Sequence, residues 1–165
     1  MNEKKDPQVK GAIIKYSAIC AAIAIQPIPF ADIFILTPIQ AIMGIEIAKK
    51  YGIRVEKKQS SKLIRQIIGI IGMGLIAQQL GIAAAKTFWP IVGSVATIPV
   101  VFGLTYGIGS VINEYYKSLA NNDRLTDEEI KDIYKASRNE GQNIGRNFSK
   151  EDILKIKERS VSSGN

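Results

Sequence analysis

Histidine is absent from the 165 residues. Its absence excludes Ser-His-Asp and Cys-His nucleophilic catalysis, histidine general bases and the HExxH type of metal site. Cysteine is nearly as scarce. The single Cys20 stands inside an apolar run, so a disulfide framework and Cys-rich zinc ligation are both ruled out and the residue reads as a packed small side chain. Charge is missing over long stretches: Asp32 is the only charge between Tyr16 and Glu46, and Gln66–Ala85 and Thr87–Asn113 have none. Such segments hide from water in a helical core or in lipid. The mean hydropathy of +0.06 favours neither.

What is present points to an all-α chain: two antiparallel apolar helical hairpins followed by a small C-terminal helix-turn-helix appendage. The expected division is an apolar core over 9–120, a polar helical appendage over 121–159 and a disordered tail over 160–165. The first hairpin takes a helix from Val9 to Ile25 and breaks at Gln26-Pro27-Ile28-Pro29, because two prolines so close cannot sit in one straight helix. The chain then returns as a helix with Thr37 and Pro38 as N-cap and first-turn pair and Gly52 as its stop. Glu46 and Lys50, spaced i, i+4, are expected to pair on its edge. Gln26, Pro27, Pro29 and Asp32 mark the corner as a candidate binding tip, with Asp32 alternatively a cap for a short turn of helix.

A basic linker follows, and the cations Lys49, Lys50, Arg54, Lys57, Lys58, Lys62 and Arg65 are crowded in and just beyond it. Close to anionic headgroups each basic residue is worth about 1 kcal/mol. No helix-turn-helix reader, zinc finger or aromatic-interleaved RNA motif accompanies them, so nucleic acid is not an expected partner. The second hairpin is expected to begin near Leu63 and to turn at Lys86–Pro90, with Trp89 as an interfacial anchor and Pro99 kinking or dividing the second arm. Gly103 and Gly107 form a GxxxG, a spacing that lets helix backbones approach closely in a membrane or in a bundle. Gly69–Gly74 lacks the Lys-Ser/Thr of a P-loop and Gly107-Ile-Gly109 lacks Rossmann register, so both read as packing glycines.

Beyond Asn121 the signals are those of water-facing helices. Thr126 and Glu129 form a capping box flanked by a Leu125–Ile130 staple, predicting a helix to about Glu140, and Ser149, Asp152, Phe148 and Ile153 repeat the device. Asn121-Asn122-Asp123 lacks the glycine and spacing of a calcium loop.

Taken in order, Gln26-Pro27-Ile28-Pro29-Phe30-Ala31-Asp32, Ile35-Leu36-Thr37-Pro38-Ile39-Gln40, Met43, Ile45–Ala48, Tyr51-Gly52 and Gly103–Gly109 resemble the bacterial DUF697 (YcjF-like) family, over about residues 12–120. The resemblance implies a helical module of uncharacterised function, often found at membranes and often C-terminal to an Era-like GTPase domain. No GTPase domain is present in this sequence, so such a partner would act in trans. The family pattern brings no catalytic residues and no cofactor.

The expected function is therefore a non-enzymatic, membrane-associated docking or scaffolding module on the cytoplasmic side of a bacterial membrane. Anionic headgroups are its expected partner, and a homo-oligomer is kept open. The alternative is a soluble cytoplasmic bundle that binds an apolar ligand or a protein. An enzyme would need carboxylates gathered in a cleft, and Asp32 and Glu46, one at a turn and one on a helix edge, do not supply them.

Overall fold

The structure, a computed structural model, describes residues 5–25, 31–72 and 90–162. Six helices account for these residues: α1 (Lys5–Ala24), α2 (Ala31–Lys50), α3 (Lys57–Ile71), α4 (Pro90–Ala120), α5 (Asp127–Arg146) and α6 (Lys150–Ser162). No strand occurs among the described residues, and the chain is all-α. The expected corner at Gln26, Pro27 and Pro29 lies outside the described residues, as do Lys86 and Trp89 of the second.

Small side chains make α1 the helix that can be surrounded. Ala18, Cys20, Ala21 and Ala22 are fully buried, and α1 packs on α2, α4 and α6. It runs opposite to α2: Lys15 and Tyr16 reach Glu46 near the end of α2, whereas Cys20 and Gln40 converge on Thr105 of α4. Gln40 donates to Thr105 Oγ1 at 3.4 Å and Tyr51 Oη to Asn113 Oδ1 at 2.7 Å, so two polar rungs fix α2 along α4.

Several expected boundaries move. Thr37 and Pro38 do not start α2, which is already helical at Ala31. As the eighth residue of α2, Pro38 forfeits the hydrogen bond to the carbonyl of residue 34, and the helix runs on through it. Pro99 does not divide α4, a single helix of 31 residues, and Gly145 of α5 packs closely against it. The linker expected through Lys62 is helical from Lys57 onward. Helix α5 continues past Glu140 to Arg146, and α6 reaches Ser162, into the tail expected from residue 160. No glycine or proline stands between Lys150 and Ser162 to stop it.

Two helices end in the same way. Gly52 has φ +75°, with its N–H donating to Lys49 and that of Ile53 to Ala48; Asn122 has φ 55°, with its N–H donating to Leu119 and that of Asp123 to Ser118. These are paired Schellman stops, one on glycine and one on asparagine.

The largest interface joins α4 to α5, and glycine makes it possible. A methyl group added at Gly103 would lie 2.5 Å from Gln142 Cγ and 2.7 Å from the Arg138 carbonyl oxygen; one at Gly141 would lie 2.5 Å from Tyr106 Cβ. Gly107 faces the Tyr134 ring, and Gly145 faces Phe102. The GxxxG is thus occupied by the charged helix α5, antiparallel to α4. Residues beyond Asn121 enter the same core as α1–α4, through Ile130, Tyr134 and Ile153, and Phe148 stacks on Phe102 at 5.4 Å between ring centres. Both capping devices form: Thr126 N–H donates to Glu129 at 2.8 Å and Ser149 N–H to Asp152 at 3.1 Å.

Gly103→Ala and Gly141→Ala should each lower stability by about 1–3 kcal/mol, the range for overpacking, and the double variant should lose less than the sum because the two sites share one gap. Gly11→Ala, in α1 with nothing within 4 Å of the added carbon, should instead gain about 0.5–1 kcal/mol from helix propensity. Urea denaturation followed by circular dichroism checks all four.

Candidate functional site

Helix α3 sorts its residues sharply. Ser60, Ile64, Ile67 and Ile71, at spacings of four, three and four, are buried, while Lys58, Lys62 and Arg65 are exposed on the opposite side at i, i+4 and i+7. Glu56 N–H donates to Gln59 Oε1 at 2.9 Å and closes the first turn. Ser60, fully buried, donates to the Ala41 carbonyl at 2.8 Å and lies over Gly44 of α2, where any side chain would collide with its hydroxyl. That contact seats α3 on α2 and aims its cations outward.

Lys49 and Arg54 are exposed beside this stripe and Lys50 is half-buried. Residues 49–65 hold seven cations against one acid, Glu56, in a chain whose whole net charge is +7. Among the described residues, no ion pair engages Lys49, Arg54, Lys57, Lys58, Lys62 or Arg65. The acids pair elsewhere. Lys10 Nζ donates to Glu140 at 2.9 Å, and Tyr106 Oη donates to the same carboxylate at 2.9 Å.

Glu46 is not chiefly the partner of Lys50. Lys15 Nζ donates to it at 2.7 Å and Tyr16 Oη at 2.9 Å, because antiparallel α1 brings both to its side. Burial pushes the Glu46 carboxyl up, but these hydrogen bonds, with the charges of Lys15 and Lys50, outweigh it and hold it below the ordinary value. Burial drives Cys20 up to about 12, against an opposing hydrogen bond from Thr105. Burial and Glu140 together push Tyr106 to about 12.

Of the other residues marked by sequence, Asp32 falls in the first turn of α2, and Gly103 and Gly107 are buried under α5. An open cleft of about 670 Å³ lies between α3, the end of α4 and the start of α5, with Leu63, Ile67, Ile70, Tyr115 and Leu119 on its walls and Asp123, Arg124 and Asp127 among its polar residues. Among the described residues no group of three or more carboxylates or cysteines is placed to hold a metal ion, and no helix is long and apolar enough to cross a membrane.

Against known families, residues 1–141 match the family model described as a domain of unknown function, DUF697. The chain belongs to the DUF697 family. Comparison with curated proteins and with solved structures gives no match. The family match continues through most of α5 in this DUF697 chain, in keeping with a core that α5 helps to close.

The cations of this corner are legible in the sequence, but what points them outward is not. Ser60 was legible as the first member of the Ser60, Ile64, Ile67, Ile71 stripe once the helix starts at Lys57, and the Glu56–Gln59 pair signals that start. The Lys15–Tyr16–Glu46 cluster had no local signal, since it joins residues 30 apart.

Because the Glu46 carboxyl is held below its unfolded value near 4.5, its contribution to stability is present above that pH and disappears as the pH falls through the folded value. Glu46→Gln should cost about 1 kcal/mol or less at pH 7, given a pair that is 40% and 32% exposed. The gap between wild type and variant should narrow as the pH is lowered below 4.5. Thermal melts of both proteins over a descending pH series test this.

Proposed function

We propose that this protein is a non-enzymatic docking module that binds the anionic, cytoplasmic face of a membrane through the basic corner formed by the end of α2 and the outer side of α3. The observation that carries the reading is the set of unpaired cations at Lys49, Arg54, Lys57, Lys58, Lys62 and Arg65, the last four on a helix whose other side is packed. Cations without acidic partners on a solvated face attract phosphate groups, and several in a row add their attraction. The alignment of the last four along one helix suits an extended anionic surface. The spacing of Lys58, Lys62 and Arg65 spreads the charge over about 10 Å, at 1.5 Å per residue.

A non-catalytic role is supported by how the reactive side chains are used. Glu46 of α2 accepts from Lys15 and Tyr16 of α1, and Glu140 of α5 accepts from Lys10 of α1 and Tyr106 of α4. The Cys20 thiol is fully buried. These groups hold helices together.

Flotation with vesicles of phosphatidylcholine containing 30% phosphatidylserine provides the test. The protein should float with these vesicles, stay behind with pure phosphatidylcholine, and lose binding steeply as salt rises. Replacing Lys58, Lys62 and Arg65 together by Gln should weaken binding by about 100-fold, at about 1 kcal/mol per cation, with helicity unchanged. Equal flotation with neutral vesicles, or a triple variant that binds like wild type, would refute the proposal.

A further inference from the structure

Helix α2 has an outer face that the other described residues cover only in part. Its inward residues Ala41, Met43, Ile47 and Ala48 are fully buried. In helical register, Pro38, Ile39, Ile42 and Ile45 lie on the other side; Ile42 is 44% exposed and the other three are half-buried. The outer faces of α3 and α5 are strongly charged by comparison. A helix apolar on both sides belongs between two apolar media, and α2 has the protein core on only one.

The charges around this face are arranged by position. Glu46, the one acid on it, is neutralised by Lys15 and also accepts from Tyr16, whose ring lies under the Lys15 ammonium at 4.5 Å. At the C-terminal end stand Lys49 and Arg54, exposed and unpaired, followed by the cations of α3. An apolar stripe ending in unpaired cations, with a tyrosine and a lysine at its flank, has the chemistry of a helix that rests in the headgroup region. A second copy of this chain could cover the isoleucines but would bring another +7 of charge beside the same cations. An anionic bilayer satisfies both the isoleucines and the cations.

We infer that the outer face of α2 is the inserting surface: Pro38, Ile39, Ile42 and Ile45 sink into the acyl boundary of an anionic bilayer, with α2 lying along the membrane surface and Lys49 and Arg54 at the phosphate level. This rests on the membrane-docking reading and adds to it which residues enter the lipid. The depth is that of an interfacial helix, about 5–10 Å.

Site-specific fluorescence separates the two. Cys20 is fully buried, so an environment-sensitive dye on Ile42→Cys in the full chain reports alone, and Lys135→Cys on the exposed side of α5 is the control. With the phosphatidylserine vesicles described above, the dye at position 42 should shift to the blue and be quenched by lipids spin-labelled near the headgroup, while the dye at 135 does neither. Ile42→Ser with Ile45→Ser should reduce partitioning by about tenfold or more, with the same salt dependence as wild type. Vesicle binding without a change at position 42 overturns the inference and leaves the docking reading standing; absence of binding by the unlabelled wild type overturns both. A blue shift at position 42 that grows with protein concentration in the absence of lipid assigns the face to a second copy and overturns the inference.

Discussion

The close approach of α4 and α5 is the constraint from which the rest of the architecture follows. Helix α4 is long and uncharged from Pro90 to Asn113, and a helix of that composition needs cover on most of its surface. Helices α1 and α2 supply part of it, with Ile13 and Met43 both meeting Gly109. The remainder comes from α5, whose sequence is that of a water-facing helix. One side of α5 is charged and the other carries Ile130, Tyr134, Gly141 and Gly145. Only glycine on both helices lets the two backbones come near enough for an amphipathic helix to seal an apolar one.

A similar device at smaller scale orients the basic corner. Ser60 spends its hydroxyl on the Ala41 carbonyl and occupies the space that Gly44 leaves open. Burial of Ile64, Ile67 and Ile71 then fixes the rotation of α3. Since each residue turns a helix by about 100°, a one-residue slip in this register would swing Lys58, Lys62 and Arg65 together away from the side they now face. The cations of the corner are thus placed by the same apolar contacts that stabilise the core. Removing charge at the surface leaves those contacts alone.

Much of this was legible in the sequence where the signal is local. The capping boxes at Thr126 and Ser149, the stop at Gly52, the packing role of Cys20 and the close approach at Gly103 and Gly107 all depend on residues a few positions apart. What could not be read depends on partners distant in the chain. The pairing of Glu46 with Lys15 rather than with its i+4 neighbour is set by the antiparallel placement of α1. The identity of the helix seated on Gly103 and Gly107 is set by tertiary packing, which the spacing alone leaves undetermined. The start of α3 was misplaced because seven cations around Arg54 look like a solvated connection until the buried spacing from Ser60 onward is counted. The sequence starts α2 too late because proline usually marks a first turn, whereas here the helix tolerates it as its eighth residue.

The seam at Gly145 reaches further than its size suggests. The family match ends at residue 141, yet Gly145 presses on Phe102 and Pro99, Phe148 stacks on Phe102, and Ile153 is buried in the same core. In this chain, then, the last portion of the lid is written outside the shared region. A graft of this unit into another protein would have to be cut after the final helix, or provide a surrogate for those few residues, to keep the floor of α4 dry.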